Sequence, residues 1–564
     1  MASLYPKKVG GKTYWYLREM ARVDGKPKMV SERYLGTAAE IEAAMTGAVA
    51  VPAGTRHLGF GAVAAGWSVL DRLGVAGIVD EVVGPRRSDA GASVGTYLAL
   101  AALNRLVDPR SKRSFADWWA TTAAERFTRI RPAVLDHRRA WDATHGVSAG
   151  DLAEIERRVG AAMVTQFGLD ISAVALDMTN FATFIDSTNP SASLAQRGKA
   201  KQKRADLRLV GLGLVVTRDG GIPLLSHTYP GNRPDVTQFP TMLTELCDRY
   251  AVLVAGPEPL DQVTVVFDAG QNSRDNFTDL RARKVGYVTS LPPSDHPDLL
   301  ALPGEDRTVV DPVRYPGLTA LETRKTLYGK ETRVILTHSP TLHAGQSRGL
   351  DQTLAKAQAR LGELADRLAR GKTRRARSAV TAEITAICKD AWVNRILVRE
   401  LTGQTPADLR LTWQVDDDAR ADLENEVFGK RVLVTNRDTW SIADVVAAYR
   451  SQSDAEFGFR QLKDPHVVSF SPMNHWTDQA IRVHTYTCVL ALQLAHLMRR
   501  QATQAGIPLS VRALMDTLAG IQETVLIYPS TGGRPKARRV LTQTTPEQDA
   551  LIDIFDLRRW APKS

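Results

Sequence analysis

The chain opens on strand-like alternation. Residues 12–18, Lys-Thr-Tyr-Trp-Tyr-Leu-Arg, set apolar and polar side chains in turn, and Asp24-Gly25 is a hairpin signal. Residues 28–35 then read as the return strand of a small β-rich unit over 1–56. Helical spacing takes over between 57 and 169, with apolar stripes at 60–73, 94–107, 114–119 and 152–166 separated by Gly, Pro and Asp. From 170 the period changes again. Residues 171–184, 207–217, 222–229 and 263–268 read as strands; Asp219-Gly220-Gly221 is a turn; 235–250 carries Phe239, Met242, Leu243 and Leu246 on one helical side. A helix at 276–284 and a strand at 285–291 continue the alternation.

Strand, strand, strand, helix, strand is the ordering of an RNase H-like α/β core, in which the first and fourth strands are neighbours. Residues 292–430 interrupt it. Strand-like pieces at 332–337 and 409–415 surround helical segments at 350–370 and 378–399, so this stretch is expected to be a large α+β insertion. Its middle loop holds Lys372, Arg374, Arg375 and Arg377. The core is expected to resume over 431–475. A strand at 431–435 precedes one helix from Ser441 to Lys463, opened by a capping-type Ser441/Asp444 pair. Residues 476–564 should supply further helices and an exposed basic tail.

Composition narrows the class. The chain has 564 residues, 43% hydrophobic and 24% charged, which excludes a disordered chain or a small disulfide scaffold. Lys and Arg exceed Asp and Glu by 73 − 62 = 11, an excess that suits a polyanionic partner. Cys247, Cys388 and Cys488 form no close pair, so neither a cysteine zinc site nor a disulfide framework is expected. The N-terminus lacks a signal-like apolar run and no 18 consecutive residues are apolar, so a cytoplasmic protein without membrane partners is expected.

Three acids carry the candidate chemistry. Asp177 lies within the first core strand and Asp268 ends the fourth, so adjacency of those strands sets the two carboxylates side by side. Two like charges placed together call for a cation, and Mg²⁺ takes oxygen ligands while keeping several waters. The third acid is Glu456. On a continuous helix, Tyr449, Gln452, Phe459, Arg460 and Lys463 stand at −7, −4, +3, +4 and +7 from it, one stripe mixing acid, base, amide and aromatic groups. A core face would not carry those charges, and a bland solvated face has no need of Tyr and Phe. Such a stripe suits one metal ligand flanked by phosphate contacts.

The spacing Tyr449-x2-Gln452-x3-Glu456-x6-Lys463 resembles the Tyr-x2-Arg-x3-Glu-x6-Lys signature of DDE transposases from bacterial insertion sequences. Asp177-x-Thr179, Pro230-Gly231-Asn232-x2-Asp235 and Asp268-Ala269-Gly270 are similar to the family's other motifs, and the likeness covers about 170–500. Gln452 departs from the pattern, leaving Arg450 or Arg460 to supply the charge. The Asp268-to-Glu456 gap, 456 − 268 = 188 residues, suits the cut-and-paste group, whose insertion falls between the second and third acids.

The resemblance implies that Asp177, Asp268 and Glu456 are catalytic and bind two Mg²⁺ (or Mn²⁺) ions that act on phosphodiesters. It calls for no nucleotide cofactor. Tyr449, Gln452, Arg460 and Lys463 become DNA contacts. Arg197, Lys199, Lys201, Lys203 and Arg204, a basic run between the first two core strands, would track the phosphate backbone. Trp413 and Trp440 are candidates for stacking on a flipped base. Residues 57–169 would bind the DNA ends. The expected partner is double-stranded DNA, as terminal inverted repeats and as target, bound by a homodimer. Two other readings stay open: an RNase H-like nuclease without strand transfer, and a non-catalytic DNA-binding descendant of a transposase.

Overall fold

Apolar runs rich in Val, Leu and Ile, each closed by a Gly, Asp or Pro turn, become the strands of the protein. The computed structural model describes residues 2–23, 25–45, 51–85, 91–186, 188–198, 206–253, 260–371, 374–529 and 536–563. They fall into two units, one of residues 1–65, 117–132 and 515–564, the other of 66–116 and 133–514.

The first unit begins with an antiparallel sheet of β1 (Ala2–Val9), β2 (Lys12–Val23) and β3 (Lys26–Gly36). β2 and β3 match the sequence reading; β1 does not appear in it. Every residue of β1 is exposed, so no inward-facing apolar set betrays it. A fourth strand, β4 (Gly54–Gly59), pairs with a strand from the far end of the chain described below.

The second unit holds a nine-stranded mixed sheet. β5 (Ala173–Ala182), β6 (Leu209–Thr217) and β7 (Pro223–Pro230) form an antiparallel meander. The Phe239–Leu253 helix then leads to β8 (Thr264–Phe267), which lies parallel to β5, and the Arg274–Ala282 helix leads to β9 (Gly286–Leu291), parallel to β8. β10 (Thr308–Val309), β11 (Thr319–Leu327) and β12 (Lys330–His338) follow, and after the two-stranded β13 (Leu397–Thr402) and β14 (Arg410–Val415) comes β15 (Lys430–Thr435). The sheet order is β10-β11-β12-β15-β9-β8-β5-β6-β7.

The stretch 292–430 therefore divides. β10, β11 and β12 extend the central sheet through β15. The Pro340–Ala369 and Arg377–Ile387 helices, with β13 and β14, enclose a core of their own around Leu361, Leu364, Val380, Val393 and Phe428. Alternation along β12 hides this division from the sequence, because a strand pairing with the core reads like one pairing within an insertion.

The two faces of the sheet carry different helices. A Cβ on Gly213 would meet Met242 Sδ at 2.3 Å and Met178 Cγ at 3.4 Å, so the Phe239–Leu253 helix covers the Met178 face. Asp177 and Thr179 point the other way by strand alternation. That face is covered by the Gln452–Lys463 helix, packed on β5 and β6, and the Ile442–Arg450 helix, packed on β8, β9 and β15.

The single helix expected from Ser441 to Lys463 is two helices. Ser441 caps the first, its hydroxyl accepting from the Asp444 N–H at 3.1 Å. Ser451 breaks the run: its hydroxyl donates to the Ala448 carbonyl at 2.6 Å, a local bond that competes with the helix ladder. The Asp478–Gln504 helix, whose apolar middle is buried, completes the unit. No single helix among the described residues is long and apolar enough to cross a membrane. In the first unit, β16 (Gln522–Tyr528) joins β4 to β17 (Lys536–Leu541). The tail is thus partly a strand, and Arg534 lies outside the described residues.

Candidate active site

Register places two of the acids. β5 and β8 pair in parallel with Ala173 opposite Thr264, an offset of 264 − 173 = 91. The same offset carries Asp177 to Asp268, since 268 − 177 = 91. Asp268 lies one residue beyond β8 but keeps extended backbone, φ −82° and ψ 160°, so it stays in line. Neighbouring strands lie roughly 4.8 Å apart. The two carboxylates therefore occupy one row on one face, Asp177 half-buried and Asp268 exposed. An Asp177 carboxylate oxygen also accepts from the Met178 N–H at 2.7 Å.

The row continues into β9. There the offset is 286 − 264 = 22, which sets Ser290 beside Asp268. Sequence reasoning missed Ser290; its one signal is a polar residue next to Thr289 in an otherwise apolar strand. The Tyr449 hydroxyl donates to Ser290 Oγ at 3.1 Å. At the other end, Lys463 Nζ donates to Thr179 Oγ1 at 2.8 Å and stands 5.3 Å from the centre of the Phe181 ring. Thr179 follows Asp177 by two residues, on the same face. Tyr449 and Lys463 thus anchor the helix pair at both ends of the carboxylate row, and Glu456 lies seven residues from each.

The Gln452–Lys463 helix buries Ala455, Gly458, Phe459 and Leu462, which leaves Glu456 and Arg460 exposed. Asp454 in its first turn and Arg460 and Lys463 in its last complement the helix dipole. The break at Ser451 divides the expected stripe: Tyr449 belongs to the preceding helix and Gln452 is buried. Arg450 sits over the Tyr315 ring at 4.3 Å and Arg460 over Phe457 at 5.5 Å, while Arg431 stacks on Tyr449 at 5.1 Å.

The Pro230–Asp235 segment reaches the same end of the sheet. The Asp235–Thr237 turn packs against the Ala269–Gln271 turn that follows Asp268. Asp235 accepts from the Tyr229 hydroxyl at 2.7 Å. Burial, then the carboxylates of Asp235 and Asp177, push the Tyr229 phenol well above its ordinary range. His227 lies 3.4 Å from Glu245 and alternates onto the Met178 face, away from Asp177.

Two adjacent carboxylates with a serine hydroxyl beside them are hard-oxygen donors of the kind a divalent cation takes. Among the described residues no group of three His, Cys, Asp or Glu side chains stands close enough to hold a metal ion. The donor chemistry of the Asp177–Asp268 pair fits such an ion; Glu456 is exposed on the helix that packs on β5 and β6.

The remaining sequence candidates are dispersed. Arg197 is exposed, whereas Lys199, Lys201, Lys203 and Arg204 lie outside the described residues. Trp413 packs against the insertion core, and Trp440 is half-buried beneath Arg437 at 5.7 Å. Arg375 pairs with Glu383, and Arg377 bonds the Gly403 and Leu401 carbonyls, so these two serve the insertion's own loops. Lys372 also lies outside the described residues. All three cysteines are buried and free.

No curated protein matches the chain. Among solved structures, a cryo-EM structure of a piggyBac transposase synaptic complex with hairpin DNA aligns over 87% of this chain and 79% of that one, at 8% identity and a TM-score of 0.33. A family model, the transposase DDE domain, matches residues 172–494, more than half of the chain, and spans Asp177, Asp268 and Glu456. The chain belongs to the transposase DDE domain family.

Proposed function

We propose that this protein is a DNA transposase of an insertion sequence, which cleaves phosphodiesters at the element's ends and joins the 3′ ends to target DNA. The observation that carries this reading is the row Asp177–Asp268–Ser290, anchored by Tyr449 and Lys463 with Glu456 between them. The order β7-β6-β5-β8-β9, with β8 and β9 parallel to β5, supports an RNase H-like core. In this reading the helical insertion falls between the second and third acids, and residues 57–169 bind the DNA ends.

Transposases of this family use divalent metal ions. Asp177, Asp268 and Glu456 would hold two, Mg²⁺ or Mn²⁺, which supply charge neutralisation at the phosphate and an activated oxygen nucleophile. The chain's own groups do the positioning. Asp177 and Asp268 are fixed by the sheet, so their spacing survives movement of the covering helices. Lys463, held by Thr179, brings a positive charge to the row's edge, where a phosphate oxygen can pair with it. Tyr449 fixes the opposite end through Ser290. Arg460 and Arg197, both exposed, are available to the DNA backbone. A homodimer on paired ends is part of the proposal, because joining two ends to one target calls for two sites.

The test uses duplex DNA carrying the inverted repeats that bracket the coding region. Asp268→Asn should abolish divalent-ion-dependent end cleavage and leave DNA binding intact. Cleavage that persists in this variant refutes the site. Joined products with target DNA support transposition; cleavage without joining favours a nuclease.

A further inference from the structure

A second site lies beyond the end of β5. Arg105, Lys112, Trp141, His475, Trp476 and His484 line a cavity of about 550 Å³ within the second unit. Its floor is cationic and its mouth aromatic. Arg105 is 7% exposed and His484 3%, whereas Trp141 and Trp476 are 45% and 62% exposed. Arg113, also exposed, adds a further positive charge, and among the described residues no Asp or Glu lines the cavity.

The floor is held rigidly. Arg105 Nη1 donates to the Ser469 carbonyl at 3.0 Å, and His484 Nε2–H donates to the Phe470 carbonyl at 2.8 Å. His484 Nδ1 then accepts from His475 Nε2–H at 3.2 Å. Burial, followed by Lys112 and Arg105, holds His475 down at about 3, so the imidazole pair is neutral and the cations dominate. Burial and then Arg105 pull Lys112 down to about 8. Positive groups removed from water beside one another are costly unless an anion joins them.

The cavity adjoins the carboxylate face. Phe470 meets His484 edge-on at 5.2 Å and stacks on Phe181 at 4.1 Å, and Phe181 lies beneath the Lys463 ammonium. The Trp476 carbonyl accepts from Asn189 Nδ2 at 2.9 Å, which ties it to the loop leaving β5.

We propose that this cavity binds one unstacked nucleotide of a DNA strand, its phosphate on Arg105, Lys112 and Arg113 and its base against Trp141 or Trp476. Cationic floor and aromatic mouth match the two halves of a nucleotide. A simple anion would leave the tryptophans unused, and an apolar ligand would leave the cations unpaired. The inference rests on DNA being the substrate, but not on the chemistry assigned to the three acids.

The test compares blunt duplex with duplex ending in a single-stranded overhang that carries 2-aminopurine, using the full chain without divalent ions. The wild type should bind the overhang more tightly and quench its fluorescence. Trp476→Ala, with Trp141→Ala as the second variant, should weaken overhang binding by about 5- to 150-fold, the range of one lost base stack, and leave blunt duplex unchanged. Arg113→Gln should weaken it in the same selective way. The proposal is overturned if the overhang adds nothing, if neither tryptophan variant changes its binding, or if inorganic phosphate displaces it as well as a mononucleotide does. Overhang binding that persists while Asp268→Asn still cleaves would refute the catalytic assignment and leave this site standing.

Discussion

Position of the Glu456 helix depends on a buried histidine, which makes it sensitive to acid. His496, fully buried in the Asp478–Gln504 helix, donates from Nδ1 to the Gly221 carbonyl at 2.6 Å. Its Nε2 lies 2.7 Å from Gln461 Oε1, two residues from Lys463. A neutral ring donates once, so with Nδ1–H on Gly221 the Nε2 accepts, which requires the Gln461 carboxamide to turn its NH₂ to the ring in place of Oε1. Burial, and secondarily Arg499, pull His496 down to about 3 from an ordinary 6.5. A folded value below the unfolded one means that the unfolded chain takes up the proton first. The contribution is fully present above about pH 6.5 and is lost as pH falls toward about 3. Between about pH 7.5 and about pH 5, linkage gives a loss of about 2 kcal/mol for this one group. Urea unfolding of wild type and His496→Gln across that interval isolates it, since the carboxylates, the buried His484 and the half-buried His475 titrate alike in both. Wild type should lose about 2 kcal/mol more than the variant. Backbone amides of 452–463 should also exchange faster in acid in the wild type. Parallel stability curves for the two proteins would refute the pinning role.

Two further substitutions probe the same face. Gly231→Ala would set a Cβ 2.0 Å from the Leu209 carbonyl oxygen, a backbone atom that no rotamer change can move; overpacking of this kind should cost about 1–3 kcal/mol in thermal unfolding, and an unchanged midpoint would contradict the contact. Lys463→Met keeps the aliphatic stem over Phe181 and removes the ammonium held by Thr179. Its cleavage rate should fall by about 10- to 150-fold, the worth of a charge-assisted bond, with thermal stability little changed; wild-type rates would remove Lys463 from the site.

Where the sequence carries a strong period, it locates elements well. The apolar stripe at 94–107 coincides with the Val94–Val107 helix, and the five strands from β5 to β9 lie within a few residues of their expected places. Asp177 and Asp268 were legible as neighbours because strand order alone decides it. Long-range pairing was not legible. β4 meets β16 across more than 460 residues, and no local pattern announces that partner. The helix break at Ser451 was also hidden, because Ser, Gln and Asp are tolerated in helices and the break lies in one hydroxyl's choice of carbonyl. Arg105, Lys112, Trp141 and Trp476 come together only through folding, from four separate segments of the chain.

The difference between the acids follows from what holds each one. Asp177 and Asp268 are set by a hydrogen-bonded register, which cannot slip by one residue without turning both side chains to the opposite face. Glu456 is set by a helix pair fastened through two side-chain bonds, Tyr449 to Ser290 and Lys463 to Thr179, and through His496 to the β6–β7 turn. The sheet therefore fixes two carboxylates side by side, and Glu456 sits on a separately fastened helix. Two turns of helix, about 10.5 Å, separate Glu456 from Lys463, and about two residues of strand separate Thr179 from Asp177. Because the Asp454 end of that helix meets Gly221, at the turn beside the start of β5, helix and strand run the same way.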